Sequence, residues 1–453
     1  MFQRIVQLSA ISFLLLLLLT AFAWSQSPRL LAVSPAENAA EVFIAAPLQF
    51  TFDRPVRLES VQARFQVTPN LPGKWSQAGN TITFNPVQHW GAGQTISVTL
   101  QSGVQSEFWL ALPTLRQHHW QFSISLPRLA YLYPNTGSAD LYLLSPQSGS
   151  VERLTTGGNL RDYAVAADGL SIFYSTTNGQ IVQLWRADGS TQTIVPCPQA
   201  ACSNPRPSPD GKFLAYERLP MQPSSAGDVQ VWLQPLPQGA PFAVEPQAFT
   251  TLAPFWSPQN LLTYYDPTRQ TFTLWHPKDG TYTHFSNQTG EMGAWLPDGR
   301  AFIVPEIFLI PNGYLSEEGA LTALPTSHLM QIRLAPSAVT DLTVENSLED
   351  ATPVVSPDAR WLAFTRKSLK PAEWTPGRQI WLATPEGKQA QQMTNAPQYH
   401  HSALTWSPDS AQLAYVRASQ TELGQPTEIW LMTIDSGSVL RLVIGGYAPQ
   451  WVP

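Results

Sequence analysis

The sequence predicts an all-β chain: a β-sandwich followed by a ring of repeated four-stranded units. Three observations predict it. Charged residues make up only 13% of the 453, while aromatics reach 11% with 16 Trp, and there are 41 Pro. That balance of strand and turn formers suits buried strands rather than helices or disorder. Short alternating apolar and polar stretches fill the first hundred residues after an apolar leader. From Arg128 onward one stretch recurs, typified by Leu404-Thr405-Trp406-Ser407-Pro408-Asp409-Ser410-Ala411-Gln412-Leu413-Ala414-Tyr415-Val416. It reads as strand, type I turn and strand: Ser opens the turn, Pro fixes φ, and Asp follows.

Residues 1–27 form the first element. Arg4 precedes a run from Leu8 to Trp24 that is apolar apart from small hydroxyls, with leucine throughout 14–19. Ala21-Phe22-Ala23 fits a small-x-small cleavage site, giving a signal peptide cut after Ala23. The rival is a retained anchor, a transmembrane helix at the lower length limit for a span. Either places the remainder outside the cytoplasm, as a periplasmic, cell-surface or secreted protein, tethered by segment 8–24 if it is kept. The net charge of −6 lacks the basic excess that nucleic-acid binding needs.

Residues 28–127 form the second element. Leu48-Gln49-Phe50-Thr51-Phe52, Phe65-Gln66-Val67-Thr68, Thr81-Ile82-Thr83-Phe84, Gln94-Thr95-Ile96-Ser97-Val98-Thr99-Leu100 and His119-Trp120-Gln121-Phe122 alternate in period two, and Gly79-Asn80 supplies a turn. Such spacing reads as a β-sandwich. Ser34-Pro35-Ala36-Glu37-Asn38, Phe50-Thr51-Phe52-Asp53-Arg54-Pro55-Val56, Gly79-Asn80 before Thr81-Ile82-Thr83-Phe84-x-Pro86, and Trp120-x-Phe122 occur in order. On these landmarks the segment resembles the bacterial Ig-like domain named after the SbsA surface-layer protein. The resemblance implies a spacer or adhesive module without catalysis.

Residues 128–453 form the third. Turn and apolar strand recur at Ala167-Asp168-Gly169, Ser208-Pro209-Asp210-Gly211, Trp256-Ser257-Pro258, Trp295-Leu296-Pro297-Asp298-Gly299, Ser356-Pro357-Asp358 and Ser407-Pro408-Asp409. Each apolar strand is followed by one of the type Ile380-Trp381-Leu382, then by a polar strand often ending in Leu-Thr or Met-Thr, as at Leu154-Thr155, Leu342-Thr343 and Met393-Thr394. Stacked radially, apolar strands inward and the polar strand at the rim, these units make the blades of a β-propeller. The segment starts at Arg128-Leu129-Ala130-Tyr131-Leu132, an apolar strand lacking its Trp-x-Pro, and ends at Trp451-Val452-Pro453, a Trp-x-Pro lacking its apolar strand. Joining the two ends completes one blade and removes exposed edges. Seven apolar strands over 128–453 give roughly 47 residues per unit, so seven blades are favoured over six. Insertions at 305–327 and 367–378 are the natural places for specificity.

Ser208-Pro209-Asp210-Gly211-x-Phe213-Leu214-Ala215-Tyr216, Trp406-Ser407-Pro408-Asp409 with Leu413-Ala414-Tyr415, and the Ile-Trp-Leu strands resemble the TolB-like, WD-repeat-related β-propeller. The resemblance implies the fold. It leaves function open, because this repeat serves periplasmic binding proteins, peptidase regulatory domains and some lyases. The Ig-like domain in place of an α/β domain departs from TolB.

Candidate chemistry is sparse. Cys197 and Cys202 read as a local disulfide in an oxidising compartment. No Gly-x-Ser-x-Gly, phosphate loop, dinucleotide fingerprint or His-Glu-x-x-His occurs. His276, His284, His328, His400 and His401 come from several units and would form a metal site only by converging; no cofactor or metal is expected. His118-His119 reads as polar residues at a strand entry. The turn carboxylates Asp168, Asp210, Asp298, Asp358 and Asp409 read as structural, because Asp in a turn bonds its own backbone. Trp256, Trp295, Trp406 and Trp451 read as packing between blades, with a carbohydrate-stacking row as the rival. His400 and His401 are the ligand-contact candidates. The sequence thus points to an exported, non-catalytic binding or scaffold protein whose Ig-like spacer presents a propeller to an envelope or extracellular protein or glycan. The alternatives are a metal-dependent polysaccharide lyase or hydrolase at the propeller axis and a surface-layer component.

Overall fold

The chain alternates apolar and polar residues through Leu48–Phe52, Thr81–Pro86, Thr95–Leu100 and His118–Ser123, and each apolar member turns inward. The computed structural model describes residues 2–453 except 45, 88–89, 187, 222–227, 247–249, 316–320 and 423, and omits the side chains of 2–12 and 310–324. The chain divides into two compact units, Met1–Leu126 and Pro127–Pro453.

In the first unit, Leu30–Ser34, Leu48–Phe52, Thr81–Pro86 and Gly73–Ala78 form one antiparallel sheet in that order; Phe65–Thr68, Thr95–Leu100 and His118–Ser123 form a second. Their inner faces share one core of Leu48, Phe50, Phe52, Ile82, Phe84, Ile96, Val98, Trp120 and Phe122. Gly79 (φ 58°) makes the tight turn between Gly73–Ala78 and Thr81–Pro86, where a Cβ would strain the backbone. A short helix, Leu58–Gln62, was not foreseen; it buries Val61 in this core. The leader forms helix Phe2–Ser25. Among the described residues no helix is long and apolar enough to cross a membrane, so the expected transmembrane helix is not supported; part of that expectation rests on side chains outside the described set.

In the second unit the described residues form seven four-stranded sheets. Six are consecutive meanders. The remaining one joins Val151–Arg153, Asp140–Leu144 and Arg128–Tyr133 to the final strand, Tyr447–Val452. That sheet is designated the first, and the others are numbered along the chain. The two ends of the segment therefore share one blade, with Trp451 opposite Leu129 and Val452 opposite Arg128.

The apolar strands, such as Leu413-Ala414-Tyr415-Val416, do not alternate, and the packing gives the reason. The second strand of each sheet buries both of its faces, one against each neighbouring sheet. Leu129 and Tyr131 pack with Ala414, Val416 and Ile429 of the seventh sheet. Ala130 and Leu132 pack with Tyr163, Ile172 and Leu184 of the second sheet. The same division recurs with Ala363 against the seventh sheet and Leu362 and Phe364 against the fifth. The fourth and fifth sheets meet through Phe255, Phe272, Trp295 and Phe302.

One expectation needs correction. The innermost strand is not the apolar one but the strand before the turn: Leu160–Val165, Ala200–Pro207, Leu252–Trp256, Ala294–Trp295, Leu348–Val355, Tyr399–Trp406 and Tyr447–Val452. These first strands meet one another from sheet to sheet, while the apolar strands lie second in each sheet. A strand sandwiched between two sheets needs apolar residues on both faces, whereas one beside the axis meets a neighbour on fewer sides.

Candidate functional site

The repeated residues are consumed by structure. Ser208, Ser356 and Ser407 donate from Oγ to Oδ1 of Asp210, Asp358 and Asp409 at 2.8, 2.6 and 2.5 Å, and accept from the N–H of Phe213, Trp361 and Gln412. The turn carboxylates are thus occupied by their own loops. The indole N–H of Trp256, Trp406 and Trp451 donates to the carbonyl of Arg206, Val354 and Thr405 in the preceding sheet at 2.8, 3.1 and 3.1 Å. Those rings lie between sheets and make no stacking row. Thr155, Thr251, Thr343 and Thr394, which follow the polar strands, accept through Oγ1 from an N–H of the third strand, at Leu141, Val231, Leu329 and Ile380.

A further repeat escaped the sequence reading. Arg218, Arg366 and Arg417 each follow a second strand's apolar run, and each stacks over the Trp of the adjacent third strand: Trp232 at 4.8 Å, Trp381 at 5.0 Å and Trp430 at 4.2 Å. The signal was present in Tyr216-Glu217-Arg218, Phe364-Thr365-Arg366 and Tyr415-Val416-Arg417. A cation over an indole face is attracted by the ring quadrupole.

What does not repeat gathers at one end of the sheets. Antiparallel pairing puts the Ser-Pro-Asp turns, between first and second strands, at one end of every sheet. The connections between second and third strands emerge at the other. The insertions at 305–327 and 367–378 belong to this second face, although the tip of the first lies outside the described residues.

Between the sixth and seventh sheets this face carries a cluster of charges and aromatics. On the opposite side of the sixth sheet, toward the fifth, Asp350, 1% exposed, holds Arg366 through two hydrogen bonds of 2.7 Å and accepts from Thr343 Oγ1 at 2.8 Å. Glu349 pairs with Arg378, whose Nε is buried without a hydrogen-bond partner. Lys367 lies 4.5 Å over the ring of Trp374, which is 53% exposed. Arg417 sits between Tyr399 and Trp430, 3.9 and 4.2 Å from their centroids, and is held by Glu428. Glu428 also accepts from Trp430 Nε1 at 2.9 Å and Arg441 Nη1 at 2.8 Å. Burial raises the Glu428 carboxyl, but these donors and the Arg417 charge together outweigh it and hold the carboxyl below its usual value.

His400 and His401 enter this cluster on the strand Tyr399–Trp406 and separate. Adjacent residues of a strand face opposite ways. His401 is 1% exposed, donates through Nδ1 to the Arg378 carbonyl at 2.8 Å and packs on Tyr415. Burial pushes it down to about 4. His400 is partly exposed; burial first, then the positive charges of Arg378 and Lys367, lower it, with Glu349 opposing. It is the ligand-contact candidate of the two, whereas His401 is a packed support.

The other histidines stay apart. His328 is buried and bonds Asp341 at 2.8 Å, and His284 bonds Thr273 at 3.0 Å on an outer strand. Among the described residues no three His, Cys, Asp or Glu side chains are grouped to hold a metal ion. Cys197 and Cys202 are joined in a disulfide at the entry to the third sheet, with Cys202 in the core against Phe173 and Tyr216.

Residues 25–124 match the family model of the bacterial Ig-like domain. No curated protein matches the chain. Among solved structures, puromycin hydrolase aligns at 13% identity and a TM-score of 0.50, over 70% of this chain and 52% of its own, so this chain spans about half of it. A putative TolB from Agrobacterium tumefaciens aligns at 17% identity and 0.40, over 71% and 91%; an oligogalacturonate lyase in complex with manganese aligns at 11% and 0.49, over 65% and 82%. Likeness at such identities speaks to fold alone. Taken with the topology, the chain carries a bacterial Ig-like domain followed by a β-propeller.

Proposed function

We propose that this chain is an extracytoplasmic, non-catalytic binding protein whose Ig-like module serves as a spacer and whose propeller takes a carboxylate-bearing partner, protein or glycan, on the face opposite the Ser-Pro-Asp turns. One observation carries the reading: the unrepeated Lys367, Trp374, Arg378 and His400 meet between the sixth and seventh sheets. Lys367, Lys370, Arg378, Arg417 and Arg441 stand there with Glu349, Glu373, Glu422 and Glu428, and Arg378, Arg417 and Arg441 are each paired to a carboxylate, whereas Lys367 lies over the exposed ring of Trp374. A lysine over an exposed indole offers a charge to an acidic group and a flat apolar surface to a sugar or side chain. The exported location is supported by the leader and by the bacterial Ig-like module.

The test is retention of uronic-acid-containing and neutral glycans, and of envelope proteins, on the immobilised protein and on a Lys367→Ala/Trp374→Ala variant. The reading expects acidic ligands to be retained by the parent and lost by the variant. Turnover of a polysaccharide, with nothing retained, overturns it in favour of an enzyme.

A further inference from the structure

We propose that the loop 107–116 of the Ig-like domain, with the end of the leader helix, is a lipid-contact surface that docks on a bilayer carrying anionic phospholipid. The loop exposes Phe108, Trp109, Leu112 and Leu115, with Trp109 77% and Leu115 68% exposed. Four large apolar side chains so close together mark an interaction surface rather than ordinary scatter.

The loop is held in place. Thr114 Oγ1 accepts from the N–H of Gly103 and Val104 at 3.0 and 2.9 Å, and Ser106 Oγ accepts from Phe108 N–H at 3.1 Å. It also touches the leader. Phe22 meets Phe108 edge to face at 6.3 Å, Leu112 N–H donates to the Ala23 carbonyl at 3.0 Å, and Ser27 Oγ donates to the Pro113 carbonyl at 3.2 Å.

Continuity with the leader names the occupant. Phe13 and the six leucines of 14–19 are all exposed, so this stretch of the helix is apolar all round. A helix of that kind seeks apolar surroundings on every side, which lipid provides and a single protein groove does not. Its apolar surface runs through Phe22 and Trp24 into the loop. Trp and Phe at such a junction suit the level of the headgroups. The contact asks only that loop and helix end share this boundary, not that the helix cross.

Charge completes the argument. Beside the loop a cavity of about 520 Å³ is lined by Trp24 and Leu115 together with Arg29, Arg116 and His118; among the described residues no carboxylate lines it, and the nearby Asp53 accepts from the Arg29 N–H at 2.8 Å and is held by Arg54. Two guanidinium groups next to an apolar rim fit a phosphate whose acyl chains lie along the loop.

The experiment uses the full chain with Trp109→Cys labelled by an environment-sensitive nitrobenzoxadiazole dye. The native cysteines are joined to each other, which leaves one labelling site. The protein is reconstituted into phosphatidylcholine vesicles, with and without phosphatidylglycerol. The expected result is a blue-shifted emission and about a threefold loss of quenching by iodide relative to the free dye, larger with phosphatidylglycerol. Arg29→Gln/Arg116→Gln should abolish the phosphatidylglycerol increment. A dye as open to iodide on vesicles as in free solution overturns the docking surface; an unchanged increment in the arginine variant overturns the phosphate site. Binding of glycans to the propeller is a separate readout and bears on neither result.

Discussion

Trp451, near the end of the last strand, lies directly opposite Leu129 of the first propeller strand, and its indole N–H reaches the Thr405 carbonyl of the seventh sheet at 3.1 Å. One side chain therefore takes part both in the blade that joins the chain ends and in the contact of that blade with its neighbour. Trp451→Ala should cost about 3–5 kcal/mol, as large-to-small core changes do. Trp451→Phe keeps most of the packing and should cost only about 1 kcal/mol for the lost hydrogen bond. Urea denaturation of the two variants checks the order; equal costs would refute the assignment.

His401 gives a pH dependence. Burial holds it at about 4 against an ordinary 6.5. The folded state therefore prefers the neutral ring, and the unfolded chain takes up the proton first. Above 6.5 it has no effect; between 6.5 and 4 stability falls, and below 4 the loss levels off. The full effect is about 3 kcal/mol. His401→Asn, which can still donate to the Arg378 carbonyl, should flatten the fall over that window. The carboxylates lose their share lower down, because the depressed Glu428 must be protonated first. Thermal midpoints from pH 8 to 4 for parent and variant decide it; parallel curves count against the buried neutral ring.

The two ends of the sheets should respond differently to substitution. Asp409→Ala removes the acceptor that Ser407 and Ala411 use at 2.5 and 3.1 Å and should lower stability by about 1 kcal/mol with binding unchanged. Lys367→Ala should leave stability nearly unchanged and weaken an acidic ligand about tenfold at low salt, less at high salt. Calorimetry of folding and binding on both variants separates the two roles.

The disulfide closes a short loop, five residues in sequence separation. Loop entropy then assigns it only about 2 kcal/mol, toward the low end for such bonds. Cys197→Ala/Cys202→Ala should fold and bind as the parent does, with a midpoint lower by a few degrees in a thermal scan. Failure to fold would show that the bond also shapes the core around Phe173 and Tyr216.

The repeat was legible because its devices are local or periodic. Ser-Pro-Asp turns, apolar second strands and the split unit at Arg128 and Trp451 can be read along the chain, since each depends on residues a few positions apart or on a recurring spacing. The Arg over Trp pairing was equally periodic and was missed, because its two members sit on successive strands about 14 residues apart, as Arg218 and Trp232 do. The placement of the apolar strand was misread for a different reason. An apolar run reports that both faces of a strand are covered, and says nothing of how far that strand lies from the axis.

The sequence by itself determined the all-β class, the two units, the turn chemistry and the joining of the propeller's ends. Only the tertiary structure decided which unrepeated residues meet. Lys367, Trp374 and Arg378 belong to one insertion, His400 and Tyr399 to the next sheet, and Glu428 to a strand beyond. Alternation along Tyr399–Trp406 then sent His400 toward solvent and His401 inward. A repeat fixes each sheet from its own residues. A site between two sheets depends on side chains far apart in the chain, whose distances exist only once the sheets have packed.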